Sequence, residues 1–222
     1  GLFKKVVLAD NFSNWASEGF DETSILYFFG SWCTSLSYTF QLYFDFSGYT
    51  DMALGCALLF NFKLPINFNS PYKALDIQDF WRRWHITLSR FLKEYIYIPI
   101  GGNKNGQKRT YFNLMIVFII GGIWHGAGWT FIFWGFLHGL GIIINRLWKL
   151  IGIKIPEFLC WIITFNFINF TWIFFRAREW ADAIKVIKGM SGINGFDLPN
   201  RVIDKLSFLN DFGISFRERN IG

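Results

Sequence analysis

YFNLMIVFIIGGIWHGAGWTFIFWGFLHGLGIIIN, Tyr111 to Asn145, contains no Asp, Glu, Lys or Arg and holds two of the chain's three histidines, His125 and His138. A helix rises about 1.5 Å per residue and the hydrocarbon layer of a bilayer is about 30 Å thick, so about 20 residues make one crossing. A charge-free run longer than that belongs in lipid rather than in a soluble core. A titratable ring held there is expensive to keep, and by default it marks a functional site. Counted from Tyr111 at one interface, His125 lies about 21 Å along a helix axis, near or just past the midplane. The run is too long for one straight span and too short for two full spans with a loop. Gly121, Gly122, Gly126 and Gly128 cluster at its centre, where glycine breaks a helix or lets two helices approach closely. The expectation over residues 111–145 is a broken or re-entrant membrane segment.

The rest of the chain agrees with a membrane setting. Charged residues are 17% of the whole and aromatics 21%, with mean hydropathy +0.28, against about 25% charged in ordinary globular domains. Three further apolar stretches stand out: Ile25 to Phe44, Ser47 to Phe62 and Phe158 to Phe175. Ser47 to Phe62 carries Asp51 and reads either as a tilted span or as a continuation of the preceding helix broken at Phe46-Ser47-Gly48. The fold class expected is all-α: a polytopic membrane helical bundle with an interfacial amphipathic helix. Residues 25–62 are assigned to membrane helices, 63–110 to a basic cytoplasmic segment and 158–175 to a further membrane helix. Residues 176–222 receive no assignment, and Leu206 to Gly222 is mixed in character. The chain opens on Gly1 without a signal peptide, and reads as a fragment of one larger membrane domain.

Between the apolar stretches, Lys63 to Arg109 holds nine basic residues against Asp76, Asp79 and Glu94, an excess equal to the net charge of +6 of the whole chain. A short loop with such an excess is expected in the cytoplasm. Asp76 reads as a helix N-cap. Trp81, Trp84, His85, Leu88 and Leu92 then fall on one stripe of a helix, with Arg82, Arg83, Arg90 and Lys93 mostly off it. That is the pattern of a helix lying in the interface or dipping into the bilayer, its basic side chains snorkelling outward.

For His125, a ring sheltered from water suits general-base work on a hydroxyl, with Trp124 and Trp129 as an aromatic wall; the competing role is a histidine bonded to a backbone carbonyl at a helix break. His85 reads equally as an interfacial histidine or a site residue, and His138 as structural. Asp45 and Asp51 are buried carboxylates in need of partners, which the basic helix offers. The basic segment suits anionic lipid or a phosphate-bearing cytoplasmic molecule, since guanidinium matches phosphate geometry. Cys33, Cys56 and Cys160 form no CxxC and read as small buried hydrophobes. No Walker loop, GxGxxG, HExxH or paired CxxC occurs, so nucleotide hydrolases, Rossmann enzymes and zinc proteases are unsupported, and no metal set or nucleic-acid interface is expected.

YFDFSGYTDMALG, LPINFNSPY, FWRRWHITLSRFLKEYIYIPIGGN and GGIWHGAGWTFIFWGFLHG together resemble the membrane-bound O-acyltransferase family, within it the bacterial branch typified by the membrane subunit of alginate O-acetylation. The likeness runs from about Lys4 to Met190. It implies a helical membrane enzyme around a central funnel, with His125 as the catalytic residue and His85 as a second characteristic one. It also implies acetyl-CoA as a cytoplasmic donor substrate, with Arg82 and Arg83 on its phosphates, and no permanently bound cofactor. The acetyl group would pass across the bacterial cytoplasmic membrane to an extracytoplasmic SGNH-like partner that modifies a cell-surface or secreted polysaccharide. Two other classes compete with this reading: a transporter or proton-relay subunit, since intramembrane His and Asp mark ion paths, and a non-catalytic scaffold.

Overall fold

The computed structural model describes residues 1–198 and 217–218. Leu206 to Gly222 falls outside the described residues apart from Arg217–Glu218, which make a two-residue parallel pairing with Asp197–Leu198. Every other regular element among the described residues is helical. A π-helical stretch (Phe3–Ala9) leads into α1 (Asp10–Ser17) and a second π-helical turn (Glu18–Glu22). The long α2 follows (Phe28–Leu59). After an extended segment come two short helices, α3 (Ile77–Arg83) and α4 (Ile86–Leu92), with a π-helical turn (Lys93–Tyr97) continuing α4. Then come α5 (Gly106–His125), α6 (Trp129–Ile151), α7 (Glu157–Arg176) and α8 (Trp180–Met190).

The two stretches separated at Phe46-Ser47-Gly48 in the sequence are one unbroken helix, α2. Gly48 serves a different purpose from breaking it. A Cβ there would lie 2.9 Å from the Gly1 carbonyl oxygen and 3.0 Å from the Lys5 nitrogen, so its absence lets the N-terminal segment cross directly on α2. That crossing also supplies the partners of the two carboxylates: Lys5 pairs with Asp45, and Lys4 with Asp51 at 2.8 Å. The basic helix, which the sequence offers as their partner, is not involved.

The charge-free run resolves into two helices, α5 and α6, folded back on each other as an antiparallel hairpin. A bare Gly122 backs onto the Phe131 carbonyl and a bare Gly135 onto the Phe118 carbonyl, so the helices meet backbone to backbone. Two full helices fit because α5 starts at Gly106 and α6 runs on to Ile151, beyond the limits that the charges draw. The amphipathic stripe is likewise two helices instead of one, interrupted at Trp84–His85. Asp76 caps α3 as expected, its side chain accepting the Asp79 N–H at 2.8 Å.

On their own, α6 and α7 are long and apolar enough to cross a membrane, with mean hydropathy 1.3 and 1.7. Only 33% and 39% of their apolar windows are buried. A soluble core helix would be covered; these leave most of their apolar surface uncovered by the described residues. The main core gathers Phe20, Phe80, Trp84, Trp134, Ile168 and Trp172. Inside it, the Ser35 and Thr39 hydroxyls donate to Asn169 Oδ1 at 3.1 and 2.7 Å, joining α2 to α7. Cys33 and Cys56 are exposed and Cys160 half-buried, all three unbridged, so the expectation of buried cysteines fails: they lie on apolar helix faces that the fold leaves uncovered.

Candidate active site

α5 ends at His125 and the turn Gly126–Gly128 follows. At about 1.5 Å per residue, the ring is about 28 Å from Gly106 along the axis, at the far end of α5 from Lys108 and Arg109. It is half-buried and held edge-on by three aromatics: Trp124 at 4.9 Å, Trp134 at 5.3 Å and Phe175 at 4.9 Å between centroids. The wall expected from sequence is thus only partly right. Trp124 belongs to it through its ring contact, though it is 61% exposed, whereas Trp129 makes no ring contact with His125 among the described residues. Its place is taken by Trp134 from α6 and Phe175 from α7, which no local pattern around His125 reveals.

His85 reaches the same place from another direction. The backbone at His85 is left-handed, with φ 42° and ψ 56°, a region that costs an ordinary residue on the order of 1–3 kcal/mol. It is held there by Asn67. The Asn67 carbonyl accepts the Ile86 N–H at 3.1 Å. Asn67 Oδ1 accepts the Thr87 N–H at 3.2 Å and the Thr87 hydroxyl at 2.6 Å, and lies 3.3 Å from His85 Nδ1. The kink turns the ring against Phe46 of α2 at 4.8 Å and towards Trp124 at 6.5 Å. Burial of the imidazole pushes its pKa down to about 4, so the ring is neutral near pH 7. Trp124 therefore stands beside both histidines.

α3 is tied to α6 at two points. Trp81 Nε1 donates to His138 Nδ1 at 3.2 Å, and Lys149 reaches Asp76 at 2.8 Å and Gln78 at 3.0 Å. His138 is fully buried between the rings of Phe80 and Phe118, a packing and hydrogen-bonding role. Arg83 is engaged locally, its Nε donating to Asp79 at 2.9 Å, while Arg82 is exposed. At the basic end of the hairpin a cleft of 430 Å³ is lined by Gln78, Gln107, Thr110, Tyr111, Arg146 and Lys149. The arrangement has two ends: a polar, basic cleft where α5 begins, and a pair of histidines in an aromatic shell where it finishes.

The family model described as MBOAT, the membrane-bound O-acyltransferase family, matches residues 1–178. A peptidoglycan O-acetyltransferase of Helicobacter pylori is 60% identical over 214 residues, which is 95% of this chain and 41% of that protein. A probable alginate O-acetylase AlgI of Azotobacter vinelandii is 43% identical over 81% of this chain and 36% of its own length. A teichoic acid D-alanyltransferase of Streptococcus thermophilus is 35% identical over 50% of this chain and 28% of its own length. The chain spans about two-fifths of the length of the first two relatives.

Proposed function

This chain belongs to the membrane-bound O-acyltransferase family, and from that premise we propose that it carries the reaction centre of a multi-pass O-acetyltransferase of the bacterial cytoplasmic membrane. The donor substrate is acetyl-CoA, and the acetyl group moves towards a cell-surface or secreted polysaccharide through an extracytoplasmic SGNH-like partner. The observation that carries the reading is the meeting of His85 and His125, from two separate sequence blocks, at Trp124, whose ring contacts both. Names of relatives support the polymer class, and the 60% identity to a peptidoglycan O-acetyltransferase favours peptidoglycan over alginate.

In the chemistry proposed, a hydroxyl of the acceptor or partner attacks the thioester carbonyl. The oxygen–carbon bond forms and the carbon–sulfur bond breaks, while the hydroxyl proton passes through His125 to the departing thiolate. Trp124, Trp134 and Phe175 keep competing water from His125. The basic end of the hairpin, where Lys108 and Arg109 begin α5, faces the cytoplasm and receives the donor, while the Lys63 to Arg109 segment that leads to it reaches inward at His85. Arg82, exposed and outside the ion pairs described, is the better placed of the two arginines for its phosphates, because Arg83 is engaged by Asp79.

Inverted vesicles of the native membrane, carrying the full-length protein and given radiolabelled acetyl-CoA, test the reading. His125→Gln is expected to lower label transfer to polymer by about 10²- to 10⁴-fold while insertion is unchanged. A rate within about twofold of wild type removes His125 from the chemistry. Dissipation of a pH gradient without label transfer assigns the chain to transport instead. Transfer to polymer by the purified membrane protein alone, at full rate, eliminates the partner.

A further inference from the structure

We propose that Asn67 is a positioning residue that holds His85 in its Nδ1–H tautomer, so that His85 presents a bare Nε2 and serves the hydroxyl side of the transfer instead of the thioester side. The inference rests on the acetyl-transfer reading above. It starts from the identity of one atom. The Asn67 amide atom that meets the Thr87 backbone N–H at 3.2 Å has to be oxygen, because a backbone N–H only donates. With the oxygen so placed, the Thr87 hydroxyl donates to it at 2.6 Å. That same oxygen lies 3.3 Å from His85 Nδ1, and an acceptor facing a ring nitrogen requires the hydrogen to be on that nitrogen.

A neutral imidazole carries one N–H. With that hydrogen spent on Asn67, Nε2 on the far edge of the ring has only a lone pair. A bare nitrogen accepts a hydrogen bond and gives none. It therefore holds the incoming hydroxyl by its one hydrogen until that hydrogen turns to His125, and has nothing to donate to a thioester oxygen. Asn67 also grips the backbone, since its carbonyl takes the Ile86 N–H at 3.1 Å just after the left-handed residue. One side chain and its own peptide thus fix the conformation, the ring direction and the tautomer of His85 together. Nothing in the wording of LPINFNSPY singles out Asn67 from Asn69; only the folded loop does.

The test compares Asn67→Leu and His85→Gly, singly and together, in the vesicle assay with radiolabelled acetyl-CoA; glycine at position 85 accepts the left-handed backbone without strain. Asn67→Leu is expected to lower kcat by about ten- to a hundredfold, with KM for acetyl-CoA within about twofold, and to cost nothing more in the His85→Gly background. An equal loss in both backgrounds makes Asn67 a support of the fold alone, and an unchanged kcat removes it from positioning. A second measurement is independent of activity: ¹⁵N-histidine NMR of the wild-type protein in detergent, with the His85 signals identified by their loss in His85→Gly. A protonated Nδ1 and a bare Nε2 are expected. The opposite tautomer overturns the proposal even if Asn67→Leu fails to insert. Wild-type vesicles that transfer no label count against the acetyl-transfer reading, whereas wild-type transfer with the wrong tautomer counts against Asn67 alone.

Discussion

Gly135→Ala is expected to cost more activity than stability, and the reason is where the added methyl group lands. Gly135 in α6 faces the main chain of α5: a Cβ there would collide with the Phe118 carbonyl oxygen and come within 3.0 Å of the carbonyl carbon. A side chain could rotate away, but a peptide group in mid-helix cannot, so the two helices have to spread. Overpacking of this kind costs about 1–3 kcal/mol. At about 2–4 °C per kcal/mol for a chain of this size, the thermal midpoint falls by about 2–12 °C. Spreading α5 from α6 also moves His125 away from Trp134, which packs on it at 5.3 Å, and a misplacement of about 1 Å is worth up to about 10²-fold in rate. Gly55→Ala in α2 is the control, because a Cβ there meets nothing within 4 Å. That substitution adds only helix propensity and should stabilise by about 0.5–1 kcal/mol. Thermal unfolding in detergent and acetyl transfer in vesicles are measured on both full-length variants. If Gly135→Ala matches wild type in both assays, or Gly55→Ala falls as far, the backbone-to-backbone reading of the hairpin is wrong.

Three further outcomes are expected. Burial acts to raise the Asp76 carboxyl pKa, but the Lys149 ammonium and the N–H groups of Asp79 and Gln78 outweigh it and hold it below the ordinary 3.8. A depressed carboxyl contributes its stability above the unfolded value and loses it as pH falls through the folded one. Asp76→Asn, which keeps the cap, should therefore cost about 0–1 kcal/mol at pH 7, and the difference in thermal midpoint from wild type should begin to shrink below about pH 4 and vanish once pH has fallen through the lowered folded value; a difference that does not shrink on acidification refutes the linkage. Asn169→Leu strands the Ser35 and Thr39 hydroxyls and should lower unfolding stability by about 1–2 kcal/mol, at about 0.6 kcal/mol per interhelical bond plus the stranded groups; a neutral result shows that the hydroxyls find other partners. A cysteine introduced at the exposed Asn105, with Cys33 and Cys56 replaced because they are themselves exposed, should react with an impermeant thiol reagent only after cells are permeabilised. Labelling from outside would reverse the topology and the side on which the donor enters.

Helices were legible where a local signal made them. Asp76 announced the start of α3, and the absence of charge announced α5 and α6. Their lengths were harder to read, because Lys108, Arg109, Arg146 and Lys149 sit inside the helices: long basic side chains reach out to the water from the ends of an apolar helix, so charge marks the end of a span too early. The break at Trp84–His85 was hidden for a related reason. Trp84, Leu88 and Leu92 are all buried, so the stripe keeps its helical spacing across a kink made by tertiary contacts with Asn67. Residue type and setting single out His85 and His125, and the fold brings both to Trp124. Asn67, Trp134 and Phe175 are not singled out in this way, since each becomes part of the site only when segments distant in sequence come together. Asp45 and Asp51 need partners, and sequence offers the basic helix; only the crossing of the N-terminal segment on α2 brings Lys4 and Lys5 to them instead.

α3 and α4 are seven residues each, about half the length at which an isolated helix becomes even marginal in water. Neither stands by itself. Apart from its packing in the main core, α3 keeps its form through two ties to α6, Trp81 to His138 and Asp76 and Gln78 to Lys149, and His85 hangs from its end. His85 is thus carried at the junction of two seven-residue helices, while His125 is carried by a twenty-residue helix locked into a hairpin. On warming, those ties should open as a local unit before the hairpin does. Amide hydrogens of residues 80–92 would exchange ahead of those of α5, and the proposed acetyl transfer would cease at a temperature where most of the helix content is still intact.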